Sequence, residues 1–440
     1  MDTNAAARSL PPLVSDAVDL GSTEDSLERM MRYFREYGDL YRVYSPGRGS
    51  DTWVIADPID VKRVLVTRHR NYTKGIGLDR VRILLGNGIM VSEGEFWRRQ
   101  RLMIQPAFHR RVIERFAAMV HAANKRRCAV WERAAAAGTP LDLTTELSEL
   151  TLEIVLRAIF GADYERMQAQ YGDNPFAVVT REPARNLAFA FRFRALSRIV
   201  LDIARRRQLE QEAGHFDFLA MLMSARDADS GAPMSERQLV DEILTLVVAG
   251  HETTASALNW TWYLLSQHPE AEARLHAEVE SVGVLSEPGL ERTEQLTYTQ
   301  QVIQEALRLY PPGWLITRRS IEADELGGYP LAPGTDVLLS PYVIHRHPRY
   351  WQEPETFLPE RFAAGDSTRP RYAYIPFVAG PRHCIGETFA MYEMAVHLYT
   401  AARRFRLRYV DDGPIGLEAQ INLRTTRNLR FVPEPRAQPA

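Results

Sequence analysis

The sequence predicts a mainly α-helical protein with a small β-rich portion. A helical pattern of apolar residues extends, with short breaks, from Val61 to Tyr310 in a chain of 440 residues. Strand-like runs occur before it, around the turn in "LYRVYSPGRGSDTWVIADP", and after it, in "GGYPLAPGTDVLLSP" and beyond Arg404. The chain shows no internal repeat, so we predict one large helical body with a small sheet.

The composition excludes several classes of protein. The formal net charge is -2, with 45% apolar and 25% charged residues, so no basic field points to nucleic acid. Only Cys128 and Cys384 are cysteines, which is too few for a disulfide framework and typical of a reducing compartment. The N-terminus has no signal-peptide pattern, and no stretch of about 20 apolar residues occurs. We therefore predict a cytoplasmic protein without a membrane span.

Three segments are expected along the chain. Residues 1–22 are predicted to be a flexible N-terminal arm, and residues 433–440, "PEPRAQPA", a flexible C-terminal tail. Between them, residues 23–432 are predicted to form a single domain. Its first element is an amphipathic helix in "TEDSLERMMRYFREYG", which ends at Gly38.

Two capping-box patterns predict where helices begin. Ser92 and Glu95 have the spacing of a box that begins a helix through "FWRRQRLMI". Ser235 and Gln238 have the same spacing and begin a much longer helix, which should end at about Gln267, just before a proline. That helix would contain roughly 32 residues and measure about 48 Å, enough to cross a whole domain.

The middle of the long helix carries polar residues where apolar ones are expected. Ile243–Ala249 is apolar on nearly all sides, as in a helix at the centre of a protein. Gly250 follows and is about 1 kcal/mol less favourable than alanine in a helix. A buried carboxylate at Glu252 needs a partner or a proton, and the hydroxyls of Thr253 and Thr254 can bond back to carbonyls. The pattern fits either a kink with a polar side facing water or a site that handles protons.

The run "FVAGPRHCIG" places Cys384 at or just before the N-terminus of a predicted helix. The backbone N–H groups and the dipole of that terminus favour a thiolate, while Gly380 and Gly386 permit close backbone approach. Such a thiol can be an inert buried group, a nucleophile, or the one protein ligand of a cofactor that brings its other ligands, as haem does. A nucleophile needs a base, and the sequence neighbour His383 does not by itself supply the geometry.

This run carries a family resemblance. It is similar, at every fixed position, to the haem-binding signature of the cytochrome P-450 family: Phe377, Gly380, Arg382, Cys384 and Gly386. Four more motifs occur in the family's order along the chain. "AGHETT" resembles its oxygen-activation segment, "EALR" the Glu-x-x-Arg of its K helix, "PERF" the segment that completes that ion-pair network, and "FWRRQR" the Trp-x-x-x-Arg of its C helix. Together the motifs extend from Trp97 to Gly386.

The resemblance implies a cytochrome P-450 fold and haem b as cofactor, with Cys384 as the thiolate ligand of the iron. Phe377 would shield the sulfur, and Gly386 would let the following helix pack near the ring. The implied partners of the haem propionates are Trp97, Arg101, Arg318 and Arg382. Arg319 is the alternative to Arg318 if the register is displaced by one, and His345 is a weaker candidate that also fits a core histidine.

The resemblance also implies roles away from the iron. Glu305, Arg308 and Arg361 form a structural network beneath the haem. For catalysis, the Thr253 hydroxyl would hold the oxygen being reduced and the Glu252 carboxyl would relay protons. The implied walls of the substrate pocket are mostly apolar and comprise Leu84, Leu85, Ala249, Trp314, Leu315 and Ile421.

The function implied is that of a haem-thiolate monooxygenase that hydroxylates or epoxidises an apolar organic substrate with O₂. Two electrons would come from NAD(P)H through a ferredoxin or flavodoxin with its reductase, because the sequence holds no second cysteine cluster or nucleotide-binding segment. We expect a monomer. Two alternatives remain open: a peroxide-using or isomerising enzyme on the same fold, which commonly lacks the acid–alcohol pair, and a non-catalytic haem-binding protein.

Overall fold

The structure is a computed structural model and describes residues 10–171, 174–181, 187–210, 214–284, 289–363, 369–413 and 415–436. Helices contain 56% of the residues and strands 14%, which confirms a mainly α fold with a small β-rich portion. The α-helices of the described residues are α1 Ser26–Tyr37, α2 Pro58–Lys62, α3 Leu78–Leu85, α4 Gly94–Ile104, α5 Arg110–Glu114, α6 Ala117–Ala137, α7 Leu143–Phe160, α8 Asp163–Tyr171, α9 Val178–Arg181, α10 Leu187–Ala195, α11 Ser197–Glu210, α12 Phe218–Ser224, α13 Glu236–Gln267, α14 Pro269–Ser281, α15 Leu290–Glu294, α16 Thr297–Leu309, α17 Pro341–Ile344 and α18 Glu387–Ala402.

Within the described ranges, the strands form one larger sheet and three small ones. Their bounds are β1 Leu13–Ala17, β2 Leu40–Ser45, β3 Ser50–Ile55, β4 Tyr72–Lys74, β5 Leu141–Asp142, β6 Ile316–Ser320, β7 Asp324–Leu326, β8 Tyr329–Leu331, β9 Asp336–Leu339, β10 Phe405–Tyr409, β11 Leu417–Ala419, β12 Leu423–Thr425 and β13 Arg430–Pro435. The larger sheet has the order β1-β2-β3-β9-β6-β4, and the others are β10-β13-β5, β11-β12 and β7-β8. The predicted hairpin is confirmed as the antiparallel pair β2–β3.

The chain divides into two compact units. One, which we call the sheet unit, comprises Met1–Asp79, Gln304–Cys384 and Gly416–Thr426. The other, which we call the helical unit, comprises Arg80–Ile303, Ile385–Ile415 and Arg427–Ala440. Each has its own apolar core. The single domain expected over residues 23–432 therefore stays a prediction.

Both predicted flexible ends contain ordered strand. Within the expected arm of residues 1–22, β1 pairs in parallel with β2, and Val14 and Leu20 are buried in the core of the sheet unit. Within the expected tail of residues 433–440, Pro433 to Pro435 complete β13, which pairs with β10. The N-terminal run is ordered because it buries apolar side chains, and the C-terminal run because it completes a strand ladder. The remaining residues, 1–9 and 437–440, lie outside the described part.

The capping predictions have different outcomes. At the start of α13, Ser235 and Gln238 form the reciprocal box, and the helix extends for 32 residues to Gln267, as predicted. The box at Ser92 is wrong: α4 begins at Gly94, its N-cap is Glu93, and no side chain caps it. Ser92 instead ends a buried turn in which its backbone N–H donates to the carbonyl of Gly88. None of the helices in the described part of the chain has the length and apolar character needed to cross a membrane.

Candidate functional site

One face of the central helix α13 is open in the helical unit. Every residue of this helix from Leu239 to Trp262 is buried except Ala249, Gly250, Glu252 and Thr253. Ala249, Glu252 and Thr253 share a face, because they are three and four residues apart. Between Leu239 and Trp262 the helix thus has one accessible stretch, and it is the stretch that carries the carboxyl and the hydroxyl.

Local contacts explain the polar residues of this stretch. The Thr253 hydroxyl donates to the carbonyl of Ala249 at 2.7 Å, so its oxygen is left to act as an acceptor on the open side. A Cβ on Gly250 would lie 2.9 Å from Val155 Cγ2, so this glycine permits close packing of α13 on α7. His251 points away from the open face: it is buried, and its Nε2 lies 2.9 Å from the Ser148 hydroxyl. The sequence left open whether this stretch is only a kink. In the structure, Gly250 and His251 serve the packing of α13 on α7, whereas Glu252 and Thr253 lie on the open face.

In the sheet unit, the loop that ends at Cys384 has a constrained backbone. Val378 has φ 64°, which is strained for a β-branched residue, and Gly380 has φ 74°. A Cβ on Gly380 would overlap the Leu65 carbonyl oxygen, so only glycine fits there. The Cys384 N–H donates to the Phe377 carbonyl at 2.9 Å and closes the loop.

The two cysteines have opposite surroundings. Cys384 is exposed, although cysteine is among the residue types most often buried. It lies three residues before α18 begins at Glu387, just before a helix N-terminus as the sequence predicted, and Gly386 is the N-cap of that helix. Cys128 is buried within α6, and burial raises the pKa of its thiol to about 12. Cys384 is therefore the cysteine suited to bind a cofactor.

Strand β6 gives the two neighbouring arginines different surroundings. Because side chains alternate along a strand, Arg318 is buried whereas Arg319 is exposed and forms an ion pair with Asp336, at 2.8 and 3.0 Å. Arg318 thus faces the interior of the sheet unit, and its assignment to a propionate, with Arg319 as the alternative, stays a prediction. Arg382 is half-buried in the cysteine loop.

His345 is a core histidine in this structure. Its Nε2 accepts from the Ile375 N–H at 2.8 Å, and its Nδ1 lies 3.3 Å from the Arg308 carbonyl. Burial lowers the pKa of the ring to about 3, so the imidazole is neutral at pH 7. Both ring nitrogens have backbone partners, which leaves no ring donor for a propionate.

Trp97 and Arg101 belong to the helical unit, on α4. They are four residues apart and both half-buried, and they lie on the same face as the buried Gln100 and Ile104. Trp97 and Arg101 thus belong to the helical unit, whereas Arg318 and Arg382 belong to the sheet unit.

A buried ion-pair network stabilises the sheet unit. Arg308 donates to Glu305 through Nε at 2.7 Å and Nη2 at 2.8 Å, and Arg361 Nε donates to the same carboxylate at 3.0 Å. The Leu358 N–H adds a further donor at 2.9 Å, and Arg308 also donates to the carbonyls of His345, Pro354 and Thr356. Burial lowers the pKa of Arg308, although Glu305 opposes this.

Replacing Glu305 by glutamine is expected to lower the free energy of unfolding by about 3–5 kcal/mol, because Arg308 stays buried without its counter-charge. Urea unfolding followed by circular dichroism measures the loss. The matched control is Glu434→Gln, which breaks an exposed pair with Arg408 at 2.7 Å and should cost only about 0–1 kcal/mol. Equal losses in the two variants would contradict the structural role of the network.

The candidate pocket residues differ in environment. In the helical unit, Leu84 and Leu85 are buried in the apolar core, and Ala249 lies on the open face of α13. In the sheet unit, Trp314 is buried and donates through Nε1 to the Gln420 carbonyl at 2.8 Å, which fixes the β11–β12 turn. The remaining two are Leu315, half-buried, and Ile421, 45% exposed on that turn.

Comparison with known proteins now identifies the family. A family model described as Cytochrome P450 matches residues 9–180 and 196–427. The chain belongs to the cytochrome P450 family. It is a P450 monooxygenase, an oxidoreductase whose cofactor is haem iron.

Three bacterial relatives are similar over most of their length. Cyclooctatin synthase of Streptomyces melanosporofaciens is 36% identical over 417 residues, covering 91% of this chain and 89% of the relative. Cyclooctat-9-en-7-ol 5-monooxygenase of the same organism is 34% identical, covering 85% and 83%. Pentalenene oxygenase of Streptomyces avermitilis is 30% identical, covering 90% of both chains.

The residues of this P450 fit a haem. The ring supplies four iron ligands itself, so one protein thiolate suffices, and the exposed Cys384 on its constrained loop offers one. Its glycine-dependent backbone holds the sulfur in a fixed position, since a side chain on Gly380 would displace the loop from Leu65. The basic side chains of Arg101, Arg318 and Arg382 are the type that binds carboxylates such as haem propionates.

Proposed function

We propose that this P450 hydroxylates or epoxidises an apolar terpenoid. One atom of O₂ enters the substrate, and the other leaves as water with two protons. NAD(P)H supplies the two electrons, which reach the protein through a ferredoxin or flavodoxin and its reductase. The observation that carries the proposal is the open stretch of α13, because it presents a carboxyl and a hydroxyl between turns of the helix that are buried.

When bound, the haem supplies the centre that binds and activates O₂. The chain's own part begins with Cys384, whose thiolate is the ligand of the iron and donates electron density to it. Phe377 would shield the sulfur from water. Gly386 has no side chain and would therefore let α18 pack near the ring. Trp97, Arg101, Arg318 and Arg382 bind the two propionates and orient the ring.

Proton handling falls to the open stretch of α13. The hydrogen of the Thr253 hydroxyl is donated to the Ala249 carbonyl, so Oγ1 accepts a hydrogen bond from a water on the open side. Glu252, on the same face, exchanges protons with that water through its carboxyl. Ala249 is small and leaves room for O₂ and substrate beside these groups.

The substrate class rests on the relatives and on the candidate walls. Two relatives are named for pentalenene and cyclooctat-9-en-7-ol, an alkene and an unsaturated alcohol. Leucine, isoleucine and tryptophan side chains predominate among the candidate wall residues, namely Leu84, Leu85, Ala249, Trp314, Leu315 and Ile421, and such side chains favour a hydrocarbon skeleton. Monomeric state and cytoplasmic location stay predictions from the sequence.

Turnover in a reconstituted system is expected to separate this function from its alternatives. The haem-loaded protein is first titrated with a library of terpenes, steroids and fatty acids, and the spectral shift on loss of iron-bound water identifies ligands. With the best ligand, product should form when NAD(P)H, ferredoxin and ferredoxin reductase are supplied. Product that forms with added peroxide but not with NAD(P)H and the redox proteins would indicate a peroxide-using enzyme. Rearrangement of the ligand without any supply of electrons would indicate an isomerase. Haem binding without product in any of these conditions would indicate a non-catalytic protein.

A further inference from the structure

A short loop of the helical unit lies against the first turns of α13. The Asn87 N–H donates to Asp241 Oδ2 at 2.9 Å, and the Ile89 N–H donates to Glu242 Oε2 at 2.8 Å. Both acids are buried, at 3% and 0% exposure. Two carboxylates in the apolar part of a central helix therefore bind the backbone of another segment, Gly86–Ile89, which we call the GNG loop.

The sequence of the GNG loop is fitted to this contact. Gly86 has φ 66°, and a Cβ there would overlap the Asp241 carboxylate. A Cβ on Gly88 would overlap the Thr245 hydroxyl and lie 2.7 Å from the Asp241 carbonyl oxygen. The Thr245 hydroxyl itself donates to that carbonyl at 2.7 Å. Two glycines flanking Asn87 thus allow the loop to approach the helix more closely than other residues permit.

A third element meets the same carboxylate. Arg194, in the last turn of α10, donates through Nη1 to Asp241 Oδ1 at 2.8 Å, so each oxygen of Asp241 binds a different segment. The Arg194 side chain is 33% exposed, whereas that of Asp241 is 4% exposed. Leu85, Phe193 and Leu244 belong to one apolar cluster, so α3, α10 and α13 also share a core. Asp241 joins the GNG loop, α10 and α13 at one point.

The contact lies on the same face as the open stretch. Asp241, Thr245, Ala249 and Glu252 are spaced i, i+4, i+8 and i+11, which places them in one line along α13. Asp241 and Glu252 are about 16 Å apart along the helix axis, at 1.5 Å per residue. The GNG loop therefore covers the first part of the face whose next part is open at Ala249 and Glu252. A displacement of the loop would lengthen the open stretch toward Asp241.

We propose that Asp241 is a positioning residue that fastens the GNG loop and α10 beside the open stretch of α13, and thereby controls how fast an apolar ligand enters and leaves. The inference rests on the proposed function only in taking the ligand to be the substrate. The Arg194 contact is the part that opens, because it depends on a long side chain that is 33% exposed and whose charge is screened by water, whereas the two amide contacts are made by the backbone of the GNG loop itself.

Hydrogen exchange of the haem-loaded protein tests the fastening. In Asp241→Ala, the amides of the peptide containing Asn87 and Ile89 should exchange about 10- to 100-fold faster, because a hydrogen bond to a buried charged acceptor is lost. Asp241→Asn keeps an acceptor for the Asn87 N–H but loses the charge that pairs with Arg194. It should leave this peptide close to wild type and speed exchange in residues 188–195. Arg194→Met should give the same pattern as Asp241→Asn.

Ligand kinetics test the consequence. Binding and release of 4-phenylimidazole, followed by the visible spectrum of the haem, should both become several-fold faster in Arg194→Met and Asp241→Asn. The matched control is Glu236→Gln, which breaks an exposed ion pair between α13 and Arg205 of α11 at 2.8 Å and should change neither rate.

Unchanged exchange at residues 86–91 in Asp241→Ala, or unchanged 4-phenylimidazole rates in both milder variants, would overturn the proposal. If Asp241→Ala does not fold, Asp241→Asn and Arg194→Met test the proposal instead. The readouts are then amide exchange in residues 188–195 and the rates of 4-phenylimidazole binding and release. Neither readout depends on turnover. Faster exchange and faster ligand rates in the variants, with no ferredoxin-driven product from the wild type, would support the role of Asp241 and reject the proposed function. Ferredoxin-driven product from the wild type, with exchange and ligand rates unaltered in the variants, would support the proposed function and reject the role of Asp241.

Discussion

Replacing Thr253 by alanine is expected to uncouple electron consumption from product formation. The alanine variant removes Oγ1, the acceptor on the open face of α13, but no residue proposed to bind haem. Electrons from NAD(P)H should still be consumed with substrate bound, while hydrogen peroxide is released and product per NAD(P)H falls by roughly 10- to 100-fold, the scale of one lost hydrogen bond. The measurement is the ratio of product to NAD(P)H, taken together with peroxide release.

Thr253→Ser is the matched control, because serine retains the hydroxyl and can make the same bond to the Ala249 carbonyl. It should keep the ratio near wild type. Should alanine and serine variants give the same, unchanged ratio, the hydroxyl would have no part in proton handling and Thr253 would serve only to shape the helix.

Glu252→Gln differs in kind from the threonine variant. It keeps the size of the side chain on the open face but cannot exchange a proton, so the rate of turnover itself should fall. Haem content and the affinity for ligand should stay near wild type in both variants, since neither side chain is assigned to haem binding.

The sequence was most informative where local physics determines the outcome. The ends of α13 follow from the Ser235–Gln238 box and from the proline after His268, and both are local signals. The cysteine loop was equally predictable, because Gly380 is needed for a positive φ and a close approach to Leu65. Between them these two segments supply Cys384, Glu252 and Thr253.

Contacts between distant segments could not be predicted in the same way. Nothing in "TRRS" says which arginine faces inward, because the direction of the alternation depends on how β6 pairs with β9. His345 gave no sign that the Ile375 N–H would occupy its ring. The Ser92 box failed because the turn from Gly88 buries that serine before the helix begins.

Asp241 was missed for the same reason. Its partners Asn87 and Arg194 are more than a hundred and more than forty positions away in the sequence, and neither spacing has a motif. One signal was present: two adjacent acids, Asp241 and Glu242, begin a stretch that is otherwise apolar. A pair of carboxylates in a buried helix requires donors, so the sequence indicated that a polar segment must pack there, though not which one.

The reduced carbon monoxide spectrum of two cysteine variants tests most directly the claim that this chain is a haem-thiolate enzyme. Cys384→Ala removes the exposed thiol on the constrained loop and should abolish the red-shifted Soret band that is typical of thiolate ligation, together with all turnover. Cys128→Ala removes a buried thiol whose pKa is raised to about 12 by burial, and it should keep the band unchanged. A red-shifted band that persists in Cys384→Ala, or that disappears in Cys128→Ala, would contradict the account.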